Sequence, residues 1–274
     1  MNLFINLLDI RFAFYRRFTL LLLFLTLLCS CDQNRDATAY FKDNEPKIEY
    51  EEFIPFTSLD DSLFALKLKG LALENRLKKA GLVDISEVDS SIHVDVKYST
   101  TDNFVGRDLY GYFDAIYLQP VIAERLKIAQ SSLKAIDSNL SLLVYDGTRP
   151  RSVQQAMWNA LDTVPFDERI KFVSNPKNGS IHNYGCAVDL TIVNTKTGKE
   201  LDMGAGFDDP RLIAYPKMEA VFLESGELSH EQLINRRLLR KVMAKGGFWV
   251  LQTEWWHFNG LSRKAAKQKY APIE

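Results

Sequence analysis

A histidine and an aspartate stand close together in the segment 180–191 (SIHNYGCAVDLT), just before an apolar, strand-like run. His182 and Asp189 are of the residue types that bind first-row metals, and zinc accepts both. A pair at this spacing also occurs by chance, so it does not establish a site. His257, in the later segment 254–257 (EWWH), offers a third ligand. Two imidazoles and a carboxylate, with a fourth position left to water, suit a catalytic zinc.

Glu254 is the candidate general base because it stands three positions before His257. Zinc brings the pKa of its water only to about 7, so a nearby carboxylate is needed to take the proton. Residues 254 and 257 face opposite sides of a regular strand. We therefore predict irregular backbone within residues 253–257. The alternative is a chance Glu-x-x-His spacing among core tryptophans.

Cys186 lies between the two candidate ligands of the first segment. A thiolate there could also bind zinc. Free cysteines are, however, among the most frequently buried residues and usually pack as small apolar groups. The sequence favours packing for Cys186.

The predicted elements mix short strands and helices without a regular β–α–β order. Alternating or continuous apolar runs predict strands over residues 92–96, 140–144, 187–193 and 248–252. Helical spacing and capping residues predict helices over residues 71–80, 120–136, 152–161 and 230–245, with Ser152 as the cap of the third. We predict an α+β fold with a single catalytic domain, in which helices surround a small, largely antiparallel sheet and zinc lies at the sheet face.

The N-terminus has the pattern of an export signal. Three arginines precede an uncharged run over residues 18–28, which has the length of a signal-peptide core and is too short to span a membrane. Leu28-Cys29-Ser30-Cys31 follows and resembles a bacterial lipobox. We predict a lipoprotein-type signal peptide (1–30), a lipid on Cys31, a polar tether (31–57) and a catalytic domain (58–274). An ordinary signal peptide is the alternative.

Composition argues against one broad class of function. The 274 residues carry a formal net charge of −1 and are 46% hydrophobic. A nucleic-acid-binding protein normally has a strongly basic surface, so we expect no nucleic-acid partner. The length suffices for one substantial core.

Four segments, in chain order, resemble the signature of the D-alanyl-D-alanine dipeptidase family, the VanX-type zinc peptidases. They are residues 98–106 (YSTTDNFVG), 146–150 (DGTRP), 180–191 and 254–257. Four matches in order are far more specific than any one of them. The family is also related to D,D-carboxypeptidases and to the hedgehog-like zinc peptidase fold.

The resemblance implies one zinc ion per chain, held by His182, Asp189 and His257, with Glu254 as the general base. It implies hydrolysis of D-Ala-D-Ala or a closely similar D,D-dipeptide. In an exported protein, lipid-anchored to a bacterial cell-envelope membrane on its periplasmic side or at the cell surface, this activity suggests turnover of cell-wall fragments.

The resemblance also assigns three supporting residues. It implies that Arg149 stabilises the oxyanion that develops on the substrate, a role that suits a fixed guanidinium. It implies further that Ser180, together with Asp146, holds the substrate ammonium group.

Two other functions are compatible with the sequence. A D,D-carboxypeptidase would use the same zinc to trim peptidoglycan stem peptides. A non-catalytic, zinc-containing lipoprotein would bind the cell wall. Glu254 and Arg149 argue against the second alternative, because neither is needed to bind metal.

Overall fold

A computed structural model of the chain describes residues 58–274. The predicted signal peptide (1–30), the lipid on Cys31 and the tether (31–57) lie outside the described residues and stay predictions. Within residues 58–274, no helix is both long and apolar enough to cross a membrane.

The helices follow the capping and periodicity signals with a few shifts. The α-helices of the described part are α1 (Ser58–Lys79), α2 (Ile85–Val88), α3 (Pro120–Ile136), α4 (Arg151–Ala160), α5 (Glu219–Glu224), α6 (His230–Lys245) and α7 (Arg263–Lys269). Helix α3 has the predicted bounds, with Pro120 in its first turn, where a missing N–H has no cost. Helix α6 begins at a capping box in which the Gln232 N–H donates to Ser229 Oγ over 3.1 Å.

Two helix starts differ from the prediction. Helix α1 begins at Ser58, well before residue 71. Helix α4 begins at Arg151 with Pro150 as its N-cap, so the prediction that Ser152 caps this helix is wrong. The ring of Pro150 fixes its φ at −59°, which leads the chain into the helix without a side-chain cap.

The strands form one main sheet and one short pair. The described strands are β1 (Val83–Asp84), β2 (His93–Val94), β3 (Tyr117–Leu118), β4 (Leu140–Asp146), β5 (Ala187–Asn194), β6 (Lys199–Glu200), β7 (Trp249–Leu251) and β8 (Glu254–Asn259). In the main sheet the order is β2-β4-β5-β8-β7, with β6 paired to β5, and β1 pairs with β3 separately. Only β2 and β4 run parallel among these pairs, which confirms the predicted α+β fold with a largely antiparallel sheet.

Strands β4 and β5 lie at the centre of the sheet and are buried along almost their whole length. Helix α3 packs against β4 and against α6, and it contributes the fully buried Leu126 and Leu133. Apolar runs on the strands and an apolar stripe on α3 thus share one core. This core fixes the ends of β4, β5 and β8, where the candidate site residues stand.

Strand β8 has the irregularity that the sequence predicts. Its pairing with β7 shifts, because Val250 lies opposite Phe258 whereas Leu251 lies opposite Glu254. The residues between Phe258 and Glu254 therefore have no one-to-one partners on β7. A bulge of this kind redirects side chains that would otherwise alternate between the two faces.

Candidate active site

His182 is presented by a tight turn just before β5. Ile181–Tyr184 form one turn of 3-10 helix, and Ser180 is its N-cap. A capping box closes this turn, since the Ser180 N–H donates to Asn183 Oδ1 over 2.6 Å and the Ser180 hydroxyl accepts from the His182 N–H. His182 is buried, with 1% of its surface exposed, so its ring is held in place.

The glycine of the 180–191 motif ends this turn for a steric reason. Gly185 has φ 65° and ψ 30°, a left-handed conformation that favours glycine. A Cβ on Gly185 would also lie 2.6 Å from Leu82 Cδ2 and 2.8 Å from Thr148 Oγ1. The motif therefore needs glycine both for the turn and for close packing.

Asp189 and His257 lie directly opposite each other across the β5–β8 pair. His257 Nδ1 lies 3.0 Å from Asp189 Oδ1, and His182 Nε2 lies 3.3 Å from the same oxygen. The two facing imidazole nitrogens are 3.0 Å apart. All three candidate ligands are thus brought together, and their ligand atoms lie within 4.8 Å of one another.

The outer nitrogens of both histidines have other partners. His182 Nδ1 lies 2.7 Å from the backbone oxygen of Gly147, and His257 Nε2 lies 2.9 Å from Asn259 Oδ1. Both partners are acceptors, so each outer nitrogen carries the proton and each inner nitrogen presents a lone pair. When both rings are neutral, two lone pairs and a carboxylate oxygen converge on one point. This donor set fits a divalent metal such as zinc.

Asp189 and His257 shift each other's pKa. Burial alone would raise the pKa of Asp189, but His182 and His257 lower it well below its ordinary value. Burial alone would lower the pKa of His257, but its hydrogen bond to Asp189 and that carboxylate's charge raise it to about 9. An ionised Asp189 thus attracts positive charge into the centre of the group.

Glu254 lies beside the three candidate ligands without joining them. Its Oε2 is 3.8 Å from His257 Nδ1, and 29% of its side chain is exposed. Burial raises the pKa of this carboxyl, and the charge of Asp189 adds to the shift, whereas His257 lowers it. A carboxylate with a raised pKa is a stronger base, which suits a group that takes a proton from water.

Arg149 reaches the cavity from the end of β4 and is held by Asp146. Arg149 Nε and Nη2 donate to Asp146 Oδ2 over 2.9 and 2.6 Å, and Nη2 lies 3.4 Å from Asp189 Oδ2. Burial alone would lower the pKa of Arg149, but Asp146 and neighbouring groups raise it well above its ordinary value. The guanidinium therefore stays charged and fixed in direction.

Asp146 does not have the position that its predicted role requires. It is fully buried, and its other oxygen accepts a hydrogen bond from the Tyr110 hydroxyl over 2.7 Å. It is absent from the cavity wall, because Arg149 lies in front of it. Asp146 thus orients Arg149, and its carboxylate does not face the cavity.

The candidate ligands, Glu254, Arg149 and Ser180 share one small cavity of about 150 Å³. Two aromatic side chains of the segment 98–106, Tyr98 and Phe104, line it too. Cys186 is not part of the wall. It is buried, and its thiol donates to the backbone oxygen of Tyr184 over 3.3 Å, as its predicted packing role requires.

Asp208 is a cavity residue that the sequence did not indicate. It lies between β6 and α5, and its φ of 61° is the one positive value at a non-glycine residue in residues 58–274. The Tyr98 hydroxyl donates to both of its oxygens over 3.1 and 3.0 Å. Burial, followed by the charge of Asp189, raises the pKa of Asp208 to about 8. A nearby cation would stabilise its ionised form.

Comparison with known proteins supports the same chemistry. Residues 78–273 match a family model described as D-ala-D-ala dipeptidase. The D-alanyl-D-alanine dipeptidase of Escherichia coli (strain K12) is 31% identical over 180 residues, which are 65% of this chain and 83% of that protein. That of Enterococcus faecalis is 29% identical over 191 residues, covering 65% of this chain and 90% of the relative.

A third relative and one solved structure extend the comparison. The D-alanyl-D-alanine dipeptidase of Streptomyces coelicolor is 31% identical over 190 residues, covering 64% of this chain and 88% of the relative. A solved LD-carboxypeptidase has a TM-score of 0.35 and 19% identity, covering 56% of this chain and 63% of that chain. The structural likeness is too low to bear on function.

Proposed function

Because the chain belongs to the D-Ala-D-Ala dipeptidase family of zinc-dependent metallopeptidases, we propose that it hydrolyses D-Ala-D-Ala or a closely similar D,D-dipeptide. One observation carries the proposal. Two imidazole lone pairs and a carboxylate converge, and a carboxylate base and a fixed guanidinium face the same small cavity. The last two groups have no role in binding metal, whereas peptide hydrolysis uses both.

His182, Asp189 and His257 would hold one zinc ion per chain. When bound, zinc would supply positive charge that polarises the substrate carbonyl and lowers the pKa of water to about 7. The hydrogen bonds from the outer nitrogens to Gly147 and Asn259 keep both imidazoles in the required tautomer.

Glu254 moves the proton. It accepts a proton from the attacking water and returns it to the amine that leaves when the peptide bond breaks. Its distance of 3.8 Å from His257 leaves it outside the ligand set and free for this role. Its raised pKa favours both halves of the transfer.

Arg149 stabilises the negative charge that develops on the carbonyl oxygen. The Asp146 carboxylate fixes the guanidinium before the substrate arrives, so little reorganisation is needed during the reaction. Tyr98 lies against the same guanidinium, with the Arg149 Cζ 5.0 Å from the ring centroid. This stacking further limits its movement.

Asp208 binds the substrate ammonium in this proposal, in place of Asp146. Its oxygens accept from the Tyr98 hydroxyl, and Oδ2 also accepts from the Phe104 N–H over 3.4 Å. Burial and the charge of Asp189 raise the pKa of this carboxyl, so its ionised form needs more positive charge nearby. A free ammonium group would supply that charge. This preference distinguishes a dipeptide from the interior of a longer chain.

The biological setting follows from the predicted N-terminus. An enzyme anchored through Cys31 on the outer side of a cell-envelope membrane meets peptidoglycan fragments. We assign it to turnover of such fragments.

A substrate panel tests the proposed activity. The zinc-loaded protein is given D-Ala-D-Ala, L-Ala-L-Ala and an N-acylated peptide that ends in D-Ala-D-Ala, and alanine release is measured. We expect release from the first substrate only. Faster release from the acylated peptide would support a D,D-carboxypeptidase, and no release from any of them would contradict peptidase activity.

A further inference from the structure

The cavity contains a cation that neither the metal site nor the proposed chemistry uses. Its wall carries three side chains that are permanently positive at neutral pH, Arg149, Lys171 and Arg263. Arg149 is engaged by Asp146 and is buried. Lys171 and Arg263 are both exposed to solvent, but Lys171 is paired with Glu168. Arg263 remains.

Arg263 is held by one edge of its guanidinium. Its Nη1 donates to the backbone oxygens of Gly179 and Asn178, the latter over 3.1 Å. Its Nε and Nη2 have no hydrogen-bond partner within residues 58–274. The group is thus fixed beside the cavity with two donors left over, a geometry that suits a carboxylate.

Ser180 stands in the same part of the wall, directly after Gly179. Its hydroxyl oxygen accepts from the His182 N–H over a long 3.4 Å, and its own hydrogen has no acceptor within the described residues. Ser180 is buried, with 6% of its surface exposed, so leaving this hydrogen without an acceptor is costly. The hydroxyl is therefore suited to donate to an oxygen atom of a ligand. Ser180 and Arg263 therefore offer donors only, whereas Asp208 and Asp209 bring carboxylates to the same cavity.

We propose that Arg263, together with the Ser180 hydroxyl, binds the C-terminal carboxylate of the dipeptide. This inference rests on the proposed function and adds to it a residue outside the family motifs. It reassigns Ser180 from the ammonium to the carboxylate end. A zwitterionic dipeptide then spans the metal group with its ammonium at Asp208 and its carboxylate at Arg263. Both ends of the substrate are thereby recognised by charge.

The test compares D-Ala-D-Ala with D-alanyl-D-alaninamide, which has the same peptide bond and no carboxylate. We expect the native enzyme to prefer the free acid by about 10- to 100-fold in kcat/KM, as one charge-assisted contact allows. Arg263→Gln should bring the two substrates to within about threefold of each other, mainly through a higher KM for the acid. Arg263→Lys should give an intermediate ratio, because lysine keeps the positive charge but cannot donate two parallel hydrogen bonds to a carboxylate.

The ratio of the two substrates cancels any general loss of folding or metal in a variant. Lys264→Gln, the neighbouring exposed cation outside the cavity, should leave the ratio unchanged. Calorimetry with Glu254→Gln, and with that variant combined with Arg263→Gln, measures binding of both dipeptides without turnover. We expect the second change to weaken binding of the acid alone.

Three outcomes would overturn the inference in distinguishable ways. If D-Ala-D-Ala is cleaved and Arg263→Gln keeps the native ratio, Arg263 does not bind the carboxylate and the proposed function stands. If Lys171→Gln lowers the ratio instead, Lys171 is the carboxylate site. If the native enzyme cleaves neither substrate, the proposed function fails and this inference fails with it.

Discussion

Glu254 is the side chain on which the proposed hydrolysis depends most directly. Glu254→Gln keeps the size of the side chain and removes the base, so we expect kcat to fall by at least about 100-fold. Zinc content should stay near one ion per chain, because Glu254 is not a ligand. Alanine release and elemental analysis of the same sample measure both quantities. Turnover within a few-fold of the native rate would remove Glu254 as the base, and Glu231→Gln, an exposed change on α6, is the matched control.

Asn259 controls the orientation of His257. Asn259→Ala removes the acceptor that lies 2.9 Å from His257 Nε2, so the ring loses the partner that fixes its tautomer. We expect zinc affinity to fall by about 10- to 100-fold, the usual effect of losing such a partner. Competition with a chromophoric chelator measures it. An affinity equal to the native value would mean that the backbone alone orients His257.

Asp208 should affect substrate binding more than chemistry. Asp208→Asn keeps an acceptor for the Tyr98 hydroxyl and removes the negative charge. We expect KM for D-Ala-D-Ala to rise about tenfold or more, with a smaller change in kcat, since the ammonium lies away from the reacting bond. Steady-state kinetics test this. A fall in kcat with an unchanged KM would contradict the ammonium role.

At the residue scale, the sequence identified groups whose chemistry is intrinsic to their type. His182, Asp189 and His257 are brought together as their motifs indicate. Asp208 was missed because its role depends on a hydrogen bond from Tyr98, 110 positions away in the chain. Asp146 illustrates the opposite case. A carboxylate is a suitable partner for an ammonium group, but Asp146 is buried behind Arg149 and does not line the cavity.

At the scale of elements, the local signals were strong where turn chemistry is explicit. The bounds of α3, the capping box of α6 and the bulge in β8 could all be predicted. The strand predicted over residues 92–96 shrinks to His93–Val94, because only these two residues pair with β4. The length of a paired strand depends on its partner strand, and an alternating pattern in one segment contains no information about that partner.

Helix α6 holds the loop that carries Asp208. The buried Arg236 donates from Nε to the backbone oxygen of Met203 over 2.6 Å and from Nη1 to that of Ile213 over 3.0 Å. These carbonyls stand on either side of Asp208 in the chain. The Arg236 side chain therefore holds both ends of the segment 203–213, which carries Asp208.

Arg236→Met should destabilise the protein by about 2–4 kcal/mol, because two buried carbonyls lose a charged donor. Urea unfolding followed by circular dichroism measures the change in the free energy of unfolding. Arg237→Met, an exposed change on the same helix, should stay within about 0.5 kcal/mol of the native protein. Equal stabilities for the two variants would show that the clamp contributes nothing.

At the scale of the whole molecule, we propose that the predicted lipid on Cys31 determines where the enzyme acts. Cys31→Ser removes the acylation site and leaves the catalytic domain unchanged. We expect the protein to move from the membrane fraction to the soluble fraction of cells, with kcat/KM for the dipeptide unchanged. Fractionation and metabolic labelling with a fatty acid measure this. Retention of the variant in the membrane fraction, with the same labelling, would contradict an anchor at Cys31.

The proposed cleavage of D-Ala-D-Ala requires zinc, and a zinc titration of the enzyme tests this requirement. The full-length protein is stripped with a chelator, zinc is added back in steps, and alanine release is recorded at each step. We predict no release without metal and full activity at one zinc ion per chain. Absence of alanine release at every zinc level, or full activity in the stripped protein, would contradict the claim.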